Sequence, residues 1–379
     1  MIARRSGHRT WQSALLFLAF AGLAGCARDE PAGTSQPSAT CDPGAPPGVS
    51  TIASGLDATY PILTVLRDDT LFFTTSTGIM KVALAGGATT VLAGGPNVYP
   101  EGAVPSDLHV DATRIYVSST HWMVSLPVSG GQPTPFDQLD ADGLLSDQIA
   151  IDGESLYWIE TKLVDSSTTQ SWMVTMPLAG GPLVQLASLG EASSYSRGVA
   201  VDEENVYWSQ TFDGRVLAMP KRGGEVITIA PDQSLPGAIT LDAASVYWMN
   251  DLGTVDPPLP GSNLVPYPDH VVKAPKSGGA TTSFGDGTTV LPFAGGIAVN
   301  TDHVYWLEDV WSPDGFIYPL GSRVLQASPA GGPADVVGLL STDPLSRPIP
   351  CPGGICWAAI DRNAPLEIGG SLMRYNDCP

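Results

Sequence analysis

Residues 198–224 read GVAVDEENVYWSQTFDGRVLAMPKRGG. Apolar side chains recur with a period of two in Val199–Val201, Val206–Trp208 and Val216–Met219. That spacing puts successive side chains on opposite faces of a strand. The breaks between the runs carry Asp, Glu, Asn and Gly, the residues of tight turns. A fourth run, VITIA at 226–230, follows the Gly-Gly pair. The same sentence is written down the whole chain. An apolar–aromatic–apolar triplet stands at 71–73 (LFF), 115–117 (IYV), 156–158 (LYW), 206–208, 246–248 and 304–306 (all VYW), and in degenerate form at 355–357 (ICW). Its middle residue returns every 40 to 58 residues. Asp111, Asp152, Asp202, Asp242 or Asn300 precedes the triplet by four positions, and Gly-Gly pairs follow at 86–87, 130–131, 180–181, 223–224, 278–279 and 331–332.

Each unit therefore holds four short strands: A (VAVD), B (VYW), C (RVLAMP) and D (VITIA). A four-strand repeat of about 40–50 residues with period-2 patterning predicts an all-β chain, a seven-bladed β-propeller of four-stranded antiparallel blades. The recurrent Asp reads as a turn-former whose side chain caps local backbone N–H groups. The seventh unit has strands A, B and C (GSLMRYN, 370–376) and lacks D. An orphan D-like run, VSTIASGL at 49–56, precedes the first unit. An N-terminal strand that completes the last blade closes the ring and leaves no open edge.

The VYW triplets and Pro-x-x-Gly-Gly turns resemble the YWTD propellers of low-density-lipoprotein-receptor-type ectodomains, whose repeats also occur in bacterial exported proteins. The resemblance covers nearly the whole chain after residue 47 and rests on framework motifs. The chain departs from that family at Ile159, Ser209, Met249 and Leu307, where the Thr of the motif would stand. Seven units replace the six typical of it.

The first residues, MIARRSGHR, are basic, and an apolar run from Trp11 to Gly25 follows. This pattern predicts a signal peptide over 1–25. Leu23-Ala24-Gly25-Cys26 resembles the lipobox of bacterial lipoproteins. The resemblance implies a lipid-bearing Cys26, a membrane contact through that lipid only, and, with Ala27 next in the chain, residence in the cell envelope at the outer membrane. Residues 26–47, rich in Pro, Gly, Ser and Thr, read as a tether, and 48–379 as the propeller. Four cysteines remain. In an exported chain they predict two disulfides, with Cys351–Cys356 and Cys41–Cys378 the favoured pairing of three. With 18 Lys+Arg against 38 Asp+Glu, the net charge is −20, which argues against nucleic acid as a partner.

The units differ most in their B–C loops, at about 160–170, 250–269 and 308–321. In an up-and-down blade these share a face with the D–A connections, among them 95–106 and 188–197. Repeat proteins carry their variable, functional loops on one such face. The candidate contact residues there are Tyr99, Glu101, Tyr195, Tyr267, Glu308, Asp309, Trp311, Asp314, Phe316 and Tyr318. Aromatics beside acids suit an envelope or extracellular protein segment, or a glycan. No GxSxG, HExxH or P-loop occurs, so no catalytic residue and no cofactor is expected. The spacing of Asp140 and Asp142 is not that of an EF-hand, which leaves a metal open. Of the histidines, His109 falls on an A strand, His303 in an A–B turn, and His121 and His270 in or next to B–C loops. The leading expectation is a non-enzymatic binding propeller. Its rivals are an exported propeller lyase or hydrolase, with its site on this face or in the channel, and an envelope assembly factor.

Overall fold

The computed structural model describes residues 48–59, 62–95, 98–99, 104–119, 122–136, 143–145, 148–165, 168–191, 198–250, 271–285, 296–310, 321–340, 343–344, 346–361 and 369–376. Seven antiparallel sheets follow one another along the chain. Blade 4 is representative: A (Val199–Val201), B (Asn205–Gln210), C (Arg215–Pro220) and D (Ile227–Ala230), with neighbours in sequence paired in space. The A strands of successive blades lie side by side, those of blades 7 and 1 included, and between blades 2 and 3 the Ile149 N–H donates to Asp107 at the start of strand A. This is the expected seven-bladed propeller. Blade 7 takes its outer strand from the N-terminal side: Gly48–Leu56 pairs antiparallel with Gly370–Asn376.

The aromatic triplet builds the ring. Adjacent strand residues point to opposite faces of a blade, so the Tyr position faces the next blade and the Trp position faces the previous one. Tyr116 packs with Trp158, Tyr157 with Trp208, Tyr207 with Trp248, Tyr247 with Trp306, and Tyr305 with Trp357. Cys356 of blade 7 meets Phe73 of blade 1, and Phe72 of blade 1 meets Val117 of blade 2. Seven clusters thus fill seven inter-blade spaces. The tryptophans of blades 3 to 6 are fully buried, and truncating one to Ala costs roughly 3–5 kcal/mol.

The recurrent Asp is a strut as well as a turn-former. Asp111 Oδ1 accepts the backbone N–H groups of Thr113 and Arg114 at 2.6 and 2.7 Å, and its Oδ2 accepts the Tyr116 hydroxyl at 2.7 Å. Asp152–Tyr157, Asp202–Tyr207 and Asp242–Tyr247 repeat the bond at 3.0, 2.9 and 2.7 Å. Lysines of the next blade reach two of these carboxylates, Lys221 to Asp152 at 2.8 Å and Lys276 to Asp202 at 2.9 Å. In blade 7 the same two register positions hold Cys351 and Cys356, which form a disulfide. A covalent bond replaces the hydrogen bond there. Blade 1 has neither. It places Arg67 and Phe72 at those positions, and Arg67 instead donates to the Asp111 carbonyl of blade 2.

The Gly-Gly turns latch the outer rim. The D strands of blades 1, 3, 4, 6 and 7 carry a β-bulge, at Leu92, Leu186, Ile229, Val337 and Ile52. A bulge releases one residue from pairing with strand C. In blade 1 the freed Leu92 carbonyl accepts the N–H of Gly131, from the turn of blade 2, at 3.0 Å. Gly130 beside it has φ +92°, and a Cβ there would lie 2.7 Å from the Leu92 oxygen. Only glycine fits so close to backbone in that conformation.

One expected loop is largely strand. In blade 3, strands B (Ser155–Leu163) and C (Thr169–Pro177) pair to their ends, and D runs from Val184 to Glu191. Most of the 160–170 loop and the start of the 188–197 loop are therefore ladder. Thr161 and Ser171 face each other across it with hydroxyls 2.8 Å apart, and such polar pairs suit a strand that rises beyond the core.

Candidate functional site

The face that carries the B–C and D–A connections begins where the inter-blade cores end. Two residues after each Trp, on the same side of strand B, blades 3 to 6 place a carboxylate or an amide: Glu160, Gln210, Asn250 and Glu308. In blade 6 Trp306 Nε1 donates to Glu308 Oε1 at 2.7 Å, and Arg323 donates to Glu308 Oε2 at 2.6 Å. In blade 5 Trp248 Nε1 donates to Asn250 Oδ1 and to Gln233 Oε1, both at 3.1 Å. In blade 3 Glu160 is drawn instead to Lys162 Nζ at 3.0 Å. The indole N–H groups of Trp158 and Trp208 and the amide oxygen of Gln210 are buried and have no hydrogen-bond partner. Trp208 and Gln210 share one side of their strand, so an unpartnered donor and an unpartnered acceptor stand together on the side of strand B that faces blade 3. Buried polar groups of this kind are satisfied by water or by a ligand.

Exposed apolar groups occur on the same face in these two blades. Leu163 and Val164, at the tip of the tall blade 3 hairpin, are 64% and 51% exposed, and Phe212, in the B–C turn of blade 4, is 65% exposed. These are the exposed large apolar residues of the loop face among the described residues, and they belong to adjacent blades.

Two other polar clusters of this face are engaged within the fold. Asp57 accepts hydrogen bonds from Ser76 and from the Thr59 N–H. Burial pushes its carboxyl up, but these bonds outweigh it and hold the group below its ordinary value. At the start of strand A in blade 2, His109 Nε2 lies 2.9 Å from Asp107 Oδ2, which also accepts the N–H of Ile149 in blade 3. Both side chains are 3% exposed or less. The pair joins two A strands and is closed to substrate.

Two of the expected contact residues have described side chains, and both are internal. Tyr99 is buried, donates to the Gly78 carbonyl at 2.9 Å and packs against Trp122. Burial pushes its hydroxyl well up. Glu308 is the buried partner of Arg323 and Trp306. Of Asp309 only the backbone is described, opposite Ser322. Glu101, Tyr195, Tyr267, Trp311, Asp314, Phe316, Tyr318, Cys26, Cys41 and Cys378 lie outside the described residues, as do His121, His270, Asp140 and Asp142. Among the described residues no group of His, Cys, Asp or Glu could hold a metal ion. The signal that sequence reasoning missed was present as Trp-x-Glu/Gln/Asn in four successive units, since positions i and i+2 share a strand face.

No protein-family model matches this chain. No curated protein matches it either. Solved structures do. A streptogramin B lyase aligns over 86% of this chain and 97% of its own at TM-score 0.59 and 10% identity. An oligogalacturonate lyase in complex with manganese aligns over 92% and 97% at TM-score 0.59 and 12% identity. The computationally designed Ika8 protein aligns over 85% and 98% at TM-score 0.54 and 10% identity. At such identities the likeness shows the fold, a β-propeller shared by enzymes and by proteins of other kinds.

Proposed function

We propose that this chain is an exported, lipid-anchored propeller that binds a protein segment or a glycan through its loop face and performs no chemistry there. The observation that carries the reading is the pairing, on blades 3 and 4, of exposed apolar loop residues with unpartnered buried polar atoms. Exposed Leu163, Val164 and Phe212 lie on the loop face of blades 3 and 4, the same blades between which the Trp208 indole N–H and the Gln210 amide oxygen are buried without a partner. An apolar rim over a few oriented polar groups is the composition of a recognition surface. The perturbed groups also favour binding over catalysis. Most of them belong to the Asp–Tyr struts of the opposite face, where they are structural, and the two on the loop side, Asp57 and Tyr99, are held by bonds within the fold, whereas an active site shifts pKa values at its own mouth. The lipid anchor rests on Leu23–Cys26.

The test is affinity capture from native envelope extract with residues 27–379 as bait, beside Leu163→Ser/Phe212→Ser and a chain with 251–269 and 309–320 shortened to Gly-Ser turns. All three must give the same β-sheet circular dichroism. A partner held by the first bait and lost by either variant supports the reading and locates the contact. A partner retained equally by all three removes the loop face from the account. Capture by none shifts attention to small-molecule chemistry. Separately, Cys26→Ala releases the protein from membranes if the lipid is the anchor, and a mutant that still pellets rules the anchor out.

A further inference from the structure

Strand B of blade 3 runs five residues past its Trp, to Leu163, and strand B of blade 4 runs two past its own, to Gln210. The difference makes blade 3 taller by about 10 Å of strand. The added part is four strands wide, because Gly143–Leu145 pairs with Glu160–Lys162 and strand D reaches Glu191, opposite Gln170. Blade 3 therefore stands as a wall beside the short rim of blade 4.

Side chains on one face of a strand recur every second residue. Tyr157 and Ile159 pack toward blade 4, so Thr161 and Leu163 continue that face, with Ser171 opposite Thr161. Trp208 packs toward blade 3, so Gln210 and its register partner Arg215 continue that face. The first groups past the apolar part of this inter-blade space are thus polar on both walls. The Thr161 and Ser171 hydroxyls are 2.8 Å apart. One donates to the other, which leaves the pair one proton to give.

Blade 6 shows how such a position is closed within the fold. Arg323 stands opposite Glu308 and donates to it, and Glu308 takes the Trp306 N–H. Blade 4 has Trp208, Gln210 and Arg215 in the same three places, but Arg215 turns out to Asp213 at 3.1 Å. The Trp208 N–H and Gln210 Oε1 are left unpartnered, although both side chains are at most 2% exposed. One register closes on itself in blade 6 and stays open in blade 4, beside the tall wall.

The partner that fits must accept from the indole and donate to the amide oxygen, on one side of one strand. A trans peptide unit points its N–H and C=O in opposite directions. A hydroxyl does both through one atom. A sugar ring carries such hydroxyls on its rim and C–H groups on its faces, and Leu163, Val164 and Phe212 are exposed apolar groups of these two blades. We propose that the loop face binds a saccharide chain at blades 3 and 4, with one sugar hydroxyl held by Trp208 Nε1 and Gln210 Oε1 and the next facing the Thr161–Ser171 pair. The proposal rests on the loop face being a binding surface and selects the glycan from its two partner classes. Both atoms are buried in the free chain, so Gln210 rotates to admit the sugar, and no hydrogen bond to Oε1 resists that rotation.

The test uses the full exported chain, isotope-labelled at its tryptophan indole nitrogens and followed by NMR. The Trp208 resonance is the one missing from Trp208→Phe. The probe is the glycan fraction of native envelope, digested with protease and dialysed. Its control is the same fraction oxidised with periodate, which cleaves the vicinal diols of sugars. The intact fraction is expected to shift the Trp208 resonance and the oxidised fraction to leave it in place. Gln210→Met keeps the side-chain length and removes the acceptor, and it is expected to raise the half-saturating dose at least about tenfold. An unmoved Trp208 resonance overturns the proposal and leaves water as the partner of the pair. So does an equal dose for Gln210→Met and the wild type. If the glycan fraction fails while an envelope protein is captured, and is lost from Leu163→Ser/Phe212→Ser, the binding surface stands and the saccharide falls. If neither is held, both fall.

Discussion

Tyr116→Phe isolates one strut. The substitution removes a single hydroxyl and leaves the ring in the core between blades 2 and 3. The lost bond is 2.7 Å long and ends on a carboxylate. Hydrogen bonds to charged groups contribute roughly 1.5–3 kcal/mol. Asp111 keeps two backbone donors and the Thr113 hydroxyl, so the lower half of that range applies, about 1.5–2 kcal/mol. Tyr207→Phe should cost less, about 1 kcal/mol, because Lys276 remains on the same Asp202 oxygen. Blade 1 is the natural control, with Phe72 at the Tyr position and no carboxylate to meet it. The assay is urea unfolding, read as a shift in midpoint at constant m. Burial pushes the Asp111 carboxyl up, but the Tyr116 hydroxyl and the turn N–H groups outweigh it and hold the carboxyl below its ordinary value of 3.8. A depressed carboxyl stabilises the fold above its unfolded pKa and loses that stabilisation as pH falls through the folded value. The gap between wild type and Tyr116→Phe should therefore close below about pH 4. A cost under about 0.5 kcal/mol at neutral pH, or an undiminished cost in acid, would refute the strut as the role of the repeated Asp.

Three further outcomes follow from the same framework. Gly130→Ala forces a Cβ at φ +92° to 2.7 Å from the Leu92 oxygen and should cost about 3 kcal/mol, whereas Gly87→Ala, at φ +120° with nothing within 4 Å, should cost only the backbone strain of about 1–2 kcal/mol; equal costs by thermal unfolding would show that the latch contact is unimportant. Cys351→Ser/Cys356→Ala should lose about 2 kcal/mol, as expected for so short a closed loop, and Cys351→Asp/Cys356→Tyr should regain part of it by restoring the strut; denaturant midpoints of the two variants decide, and no regain would mean that the two bonds are not equivalent. Burial and the Asp152 carboxylate push the Tyr157 hydroxyl up to about 12 from 10.0. Because the unfolded chain ionises first, stability should fall as pH rises above about 10, and Tyr157→Phe should lose less of its stability over that range in alkaline unfolding followed by phenolate absorbance.

The architecture was legible because each strand alternates and because the repeat returns seven times. Even the closing strand at 49–56 could be read, since the last unit lacked a D strand and the first was preceded by one. Register was harder. Asp111 and Tyr116 stand five apart in sequence, and only the A–B pairing brings the carboxylate to the hydroxyl. The same distance separates Cys351 from Cys356, so the disulfide could be expected while its equivalence to the strut could not. The site was the least legible part. Tyr99 and Glu308 show aromatic and acidic character in loop-rich stretches, and composition does not distinguish a contact residue from an internal brace. Leu163, Val164 and Phe212 carry no motif at all; the exposure of Leu163 and Val164 follows from how far the blade 3 hairpin rises, and Phe212 stands in the short B–C turn of blade 4.

No blade owns a core, because each core takes its Tyr-position residue from one blade and its Trp-position residue from the next. Chain synthesis is directional, so each core can form only after the following unit has been made. The last core, between Cys356 and Phe73, waits for nearly the whole chain, and the strand at Gly48–Leu56 waits for a partner that ends at Asn376. At about 5–20 residues per second that delay lasts tens of seconds. During it the first strand made has no place to go. A chain with this wiring stays open until strand C of the seventh blade arrives.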